Sequence, residues 1–156
     1  MTPIRDQLYA TALKFLQAQS CLEADRMTAL RTPTCRSTGM APSRTTSKTC
    51  DQLKPLLEDY KRVFKDAKYS LLEENDMVID EWAKKVTMRV RGQFETCVGP
   101  WANDFVFILT MTEDGKLLAD IKSFPDTAAL EELETRVLQA SQAPAPWLAH
   151  MIKADA

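Results

Sequence analysis

Apolar side chains recur at the three- and four-residue spacing of helices through the first part of the chain, and they change to strict alternation later. Thr2 and Pro3 supply a helix start, since proline fits the first helical position. Thr49 and Gln52 have the spacing of a capping box ahead of a long apolar stripe. The pattern therefore predicts three helices, over residues 3–20, 22–30 and 53–67.

Residues 33–49 lie between the second and third predicted helices and are rich in Ser, Thr, Pro and Gly. This composition is typical of a flexible loop. A short strand over residues 35–40 is the alternative.

From residue 68 onward the repeat is two residues, as in strands that are buried on one face. The segment 101–111 is nearly all apolar, which indicates a strand covered on both faces. Asp114 and Gly115 form a hairpin signal, and Asp126 is placed to cap a last helix. The predicted strands are four and antiparallel, over residues 68–79, 86–95, 101–111 and 117–124.

This order of elements predicts an α+β fold in which a cone-shaped, curled antiparallel sheet is covered by N-terminal helices and followed by a C-terminal helix. The 156 residues fit a single domain, with a core over about residues 4–138 and an irregular tail over 139–156. The hollow of such a cone is a natural place for a small organic ligand.

Composition and charge exclude several classes of function. The chain has 45% apolar and 27% charged residues and a net charge of −2, so neither a nucleic-acid surface nor a polybasic membrane anchor is expected. Four cysteines form no C-x-x-C pair, and His150 is the one histidine, so we expect no metal, no flavin and reduced thiols in the cytoplasm. No apolar stretch reaches 18 residues, so we expect no membrane span.

Two runs resemble a known family. They are similar to SnoaL-like proteins of the nuclear transport factor 2-like superfamily, in a fungal branch that acts on secondary metabolites. The two runs are residues 18–35, AQSCLEADRMTALRTPTC, and residues 99–126, GPWANDFVFILTMTEDGKLLADIKSFPD. The resemblance implies a cofactor-free isomerase or cyclase that acts on a hydrophobic polycyclic intermediate of meroterpenoid, polyketide or indole alkaloid biosynthesis. It also implies a homodimer formed through the open sheet face. The alternative is a non-catalytic binding or dimerisation module of the same fold.

The resemblance also implies site residues. Arg36 and Ser37 follow the Pro-x-Cys stretch, where the branch has a polar residue facing the pocket. Asp104 stands in the Asn-acid-aromatic step of the branch. Arg36 is the expected cation for a carbonyl or enolate oxygen and Asp104 the expected proton-transfer group. Their alternatives are a solvated loop charge for Arg36 and an Arg-paired carboxylate for Asp104.

The remaining expected site residues bind substrate. These are Ser37, Trp101, Asn103, Phe105 and Ser123. Ser123 occupies a position where the branch often has a carboxylate, so the general acid or base of the family is missing there. Trp101 and Phe105 are expected as core or pocket wall, two roles that merge in a cone fold.

Overall fold

The computed structural model describes residues 2–41 and 44–141. The predicted tail, including His150, lies outside these residues from position 142 onward. The elements in chain order are α1 (Pro3–Cys21), α2 (Ala24–Thr28), β1 (Arg31–Ala41), β2 (Arg44–Lys48), α3 (Cys50–Tyr60), β3 (Phe64–Leu71), β4 (Met77–Asp80), β5 (Lys85–Thr96), β6 (Gly99–Met111), β7 (Leu118–Pro125) and α4 (Thr127–Ser141). The α+β class is confirmed: two helices precede the curled sheet, α3 connects β2 to β3, and α4 follows the last strand.

Local signals in the sequence set the helix ends. The Thr2 hydroxyl accepts a hydrogen bond from the Arg5 amide at 3.3 Å, and α1 ends where Leu22 adopts a left-handed φ of 54°. The Thr49 amide donates to the Gln52 side chain at 2.9 Å, which is the back half of the predicted capping box. None of the helices in the described ranges is long and apolar enough to cross a membrane.

The sheet has seven strands rather than four, in the order β2-β1-β7-β6-β5-β3, with β4 also paired to β5. It is mixed, because β1 runs parallel to β7 while every other pair is antiparallel. The expected purely antiparallel sheet is therefore wrong in this detail. A parallel neighbour requires a crossover connection, and a register between two distant segments leaves no local sequence signal.

The predicted loop over residues 33–49 is a hairpin of β1 and β2, with Ser37 opposite Lys48 and Met40 opposite Thr45. Thr is a good strand former, which offsets the polar composition of this segment. Pro33 lies in the irregular stretch of β1 between Arg31 and Arg36, where a ladder hydrogen bond is not required.

The third helix is shorter than predicted, because Phe64 and Ala67 belong to β3. Their three-residue spacing arises from an irregularity between Phe64 and Asp66 in the pairing with β5. An extra strand residue moves the next inward side chain by one position, and the result imitates a helical repeat. The predicted strand over 68–79 is likewise divided between β3 and β4, which pair with successive parts of β5.

The core lies between α1 and the inner face of the sheet. The Phe15 ring meets the Phe107 ring edge to face, with centroids 5.1 Å apart. Leu8, Val86 and Leu109 are fully buried around this contact. This packing fixes α1 across the sheet and leaves the space beside it as a cavity.

Candidate functional site

A cavity of about 230 Å³ lies between the inner face of the sheet and helices α1, α2 and α3. Most of its wall is apolar, as in typical small-molecule sites. Its aromatic lining comprises Phe15, Tyr60, Phe64, Tyr69, Phe94, Trp101, Phe105 and Phe107.

The alternation of β6 produces one wall of this cavity. Trp101, Asn103, Phe105 and Phe107 occupy every second position, so all four face inward. Gly92 on the neighbouring strand makes room for the rings, since a Cβ there would lie 2.6 Å from Phe94 and 3.0 Å from Phe105. The inward side chains of β6 thus form this wall, and their rings fit because Gly92 on β5 has no side chain.

Arg31, the first residue of β1, is the charged side chain among the described residues that line the cavity. It is 7% exposed, and its Nε and Nη1 atoms are buried without a hydrogen-bond acceptor among the described residues. Burial lowers the pKa of the guanidinium, and the nearby Cys35 and Cys50 thiols oppose that shift. Arginine nevertheless stays protonated in proteins, so the cavity holds a cation.

Tyr60 at the end of α3 and Tyr69 on β3 also line the cavity. Neither hydroxyl has a hydrogen-bond partner within the described part of the chain. Burial raises the pKa of Tyr60 to about 12 and raises the pKa of Tyr69 as well, with a smaller contribution from the charge of Tyr60. Both phenols are therefore neutral hydrogen-bond donors at physiological pH.

Hydroxyl groups line the cavity where β1, β2 and β7 meet. Ser37 and Thr46 come from the hairpin and Ser123 from β7, which pairs with Gly39. A Cβ at Gly39 would lie 3.1 Å from the Thr46 hydroxyl and 4.0 Å from that of Ser123. Glycine thus keeps this polar corner open.

Asn103 is buried, and its amide group is used by the fold. Its Nδ2 donates to the Asp126 carbonyl at 3.0 Å, and its Oδ1 accepts from the Asp126 amide at 2.9 Å. The residue therefore fixes the backbone between β7 and α4, beside the cavity.

Five of the expected site residues line the cavity, namely Ser37, Trp101, Asn103, Phe105 and Ser123. The expected catalytic pair does not. Arg36 alternates with Ser37 and points to the outer face, where its Nε donates to the Ser47 hydroxyl at 2.8 Å. The expectation that Arg36 faces the pocket is corrected by this alternation.

Asp104 also lies on the outer face of the sheet, because it alternates with two inward neighbours, Asn103 and Phe105. Its carboxylate accepts two hydrogen bonds from Arg91, at 2.7 and 2.9 Å, and is 44% exposed. The hydrogen bond from Arg91 holds the pKa of Asp104 below its usual value. The structure therefore supports the alternative of an Arg-paired carboxylate for Asp104.

Sequence reasoning missed Arg31, Tyr60 and Tyr69. Tyr60 belongs to the apolar stripe of the third helix, and that stripe is now seen to face a cavity. Arg31 gave no signal, because the register irregularity after it decides which way it points. Within the described ranges, no Asp, Glu, His or Lys side chain lines the cavity.

No protein-family model matches the chain. It is 38% identical to an austinoid biosynthesis clusters protein J of Penicillium brasilianum, over 92% of this chain and 84% of that protein. The solved structure of PrhC from Penicillium brasilianum NBRC 6234 superposes with a TM-score of 0.88 and 31% identity, over 95% of this chain and 97% of that one.

Two more distant structures support the fold alone. BvnE pinacolase from Penicillium brevicompactum gives a TM-score of 0.83 at 24% identity, over 89% of this chain and 96% of that one. A protein from Jannaschia Sp. CCS1, assigned as a SnoaL-like polyketide cyclase, gives 0.64 at 15% identity, over 84% and 93%.

The curled mixed sheet, the helices on its inner face and the cavity beside them define the fold that SnoaL-like proteins have. Within that class, the chain belongs to the family of the austinoid biosynthesis cluster proteins of fungi. The resemblance seen in the sequence is confirmed.

Proposed function

We propose that the protein is a cofactor-free isomerase or cyclase that acts on a hydrophobic polycyclic intermediate of fungal natural-product biosynthesis, most closely of the meroterpenoid type. The observation that carries the proposal is the aromatic cavity, with a buried guanidinium and two phenols that have no hydrogen-bond partner among the described residues. The membership in a biosynthesis-cluster family supports it. The free cysteines Cys21, Cys35, Cys50 and Cys97 support a reducing, cytoplasmic location.

The proposed chemistry uses donors rather than a carboxylate base. Arg31 would stabilise negative charge that develops on a carbonyl oxygen, where screening inside an apolar cavity is weak. Tyr60 and Tyr69 would donate hydrogen bonds or protons to substrate oxygens, since both remain neutral. Ser37, Trp101, Asn103, Phe105 and Ser123 would shape and orient the substrate.

The test is turnover of an intermediate from the gene cluster of this protein, followed by liquid chromatography and mass spectrometry. Arg31→Met should lower turnover by roughly 100- to 1000-fold, the range for losing one oxyanion donor. Arg36→Met is the matched control, because this exposed arginine lies on the same strand and outside the cavity. Turnover by Arg31→Met at the wild-type rate would overturn the assignment.

A non-catalytic binding module remains the second candidate function. The observation that favours it is Ser123, which stands where the branch often has a carboxylate, in a cavity lined by no acidic side chain of the described residues. Binding of the intermediate without any change in its products, relative to a reaction lacking the protein, would establish this candidate and remove the enzyme.

We also propose a homodimer through the outer face of β5, β6 and β7. Phe124 is 37% exposed there and lies opposite Val106, beside the Arg91–Asp104 ion pair. An exposed sheet face that mixes apolar and paired charged groups suits a second copy of the same surface.

Sedimentation velocity tests the dimer. Phe124→Glu should convert the dimer to a monomer, while Trp82→Glu, in the exposed turn between β4 and β5, should leave it intact. A monomeric wild type at micromolar concentration would remove the proposal.

A further inference from the structure

Arg31 is a buried cation without a counterion in the described part of the chain. Arg31 is 7% exposed and lines the cavity, and two of its nitrogen atoms lack an acceptor among the described residues. Buried arginines are ordinarily paired, because an uncompensated buried charge is costly. The hydrogen bonding and charge compensation of this guanidinium should therefore change more than those of any other group when a ligand fills the cavity.

Two titratable groups in this region, Cys35 and Asp120, do not neutralise the guanidinium. Burial raises the pKa of the Cys35 thiol to about 11, which keeps this thiol uncharged at neutral pH. The Asp120 carboxylate, which influences Cys35, lies 3.9 Å from the Lys122 amine and makes no described contact with Arg31. Within residues 2–41 and 44–141, neither group supplies the negative charge that would compensate Arg31.

We infer that the substrate of this cavity carries an anionic oxygen, either a carboxylate or the enolate of a 1,3-dicarbonyl compound, and that Arg31 binds it. The inference rests on the proposed function and narrows its substrate class to acidic polycyclic compounds. A neutral ketone or ester could accept a hydrogen bond but would leave the buried charge uncompensated. An anionic oxygen accepts hydrogen bonds from the Arg31 N–H groups and also compensates the charge of the guanidinium. The hydrocarbon part of the ligand would pack against the aromatic wall of the cavity.

Two matched pairs of probes separate the two sources of anionic oxygen. Dehydroabietic acid and its methyl ester differ in the carboxylate charge and one methyl group. The same holds for the enolate of 5-phenylcyclohexane-1,3-dione and its enol methyl ether. Calorimetric titration at neutral pH, where both acids are ionised, gives a dissociation constant for each compound. The acid should bind roughly 10- to 100-fold more tightly than its neutral partner in at least one pair.

Arg31→Met should reduce that ratio to about one, because it removes the cation and keeps an apolar side chain of similar length. Arg36→Met should keep the wild-type ratio, which excludes a general effect of net charge. Circular dichroism verifies the fold of both variants. The inference is overturned if acid and neutral compound bind equally to the wild type, if Arg31→Met keeps the preference, or if no probe binds at millimolar concentration.

Failure of the inference and failure of the proposed function give different results. Conversion of a neutral pathway intermediate together with equal binding of acid and ester would overturn the inference alone. An acid preference that depends on Arg31, with no turnover of any cluster intermediate, would overturn the enzyme and leave the anion site in place.

Discussion

Replacing Arg31 by Met should make the ligand-free protein more stable. Two guanidinium nitrogens of Arg31 are buried without an acceptor in the described part of the chain, and each unsatisfied buried donor costs about 1–3 kcal/mol. Met keeps most of the aliphatic volume of the side chain and removes the desolvated charge. We expect a net gain of about 2 kcal/mol in the free energy of unfolding, which for a domain of this size corresponds to a rise of roughly 4–8 °C in Tm.

Urea unfolding followed by circular dichroism measures this change, provided that the slope with denaturant stays constant. Arg36→Met is the control, and as an exposed substitution it should remain within about 0.5 kcal/mol of the wild type. A destabilisation of more than about 1 kcal/mol by Arg31→Met would refute the reasoning, since it would mean that the guanidinium is satisfied in the free protein. The combination of a gain in stability with a loss of acid binding is the signature of a residue kept for its ligand.

Three other predictions concern the cavity wall. Gly92→Ala should destabilise the protein by about 1–3 kcal/mol in urea unfolding, because the new Cβ would lie 2.6 Å from the buried ring of Phe94; wild-type stability would contradict the packing. Asn103→Leu should lower the free energy of unfolding by about 1–3 kcal/mol in the same assay, because it removes both hydrogen bonds to the backbone of Asp126. An unchanged free energy of unfolding would show that other groups replace these bonds. Burial raises the pKa of Tyr60 to about 12, against about 10 in the unfolded chain. The neutral phenol should therefore contribute its full stability below pH 10, and this contribution should be lost as the pH rises toward 12. The alkaline loss of stability should be smaller in Tyr60→Phe, and an unchanged alkaline profile in that variant would argue against burial of the phenol.

The missed and corrected residues share one cause. Arg36 and Ser37 are adjacent in sequence and face opposite sides of β1, as Asp104 and Asn103 do on β6. Resemblance located the right segments and could not decide the parity of each strand. A shift by one residue exchanges the two faces of a strand, so the assignment of catalytic side chains is sensitive to register in a way that the fold class is not.

Local patterns in the sequence determined the helix start at Thr2-Pro3, the capping box, the alternation of β5 and the Asp-Gly turn, because each depends on neighbours within a few positions. The class of fold followed from their order. Tertiary structure alone decided the parallel pairing of β1 with β7 and the irregularities at Arg31 and Phe64. These features depend on contacts between segments far apart in the chain. Through them, a guanidinium with no local sequence signal comes to line an apolar cavity.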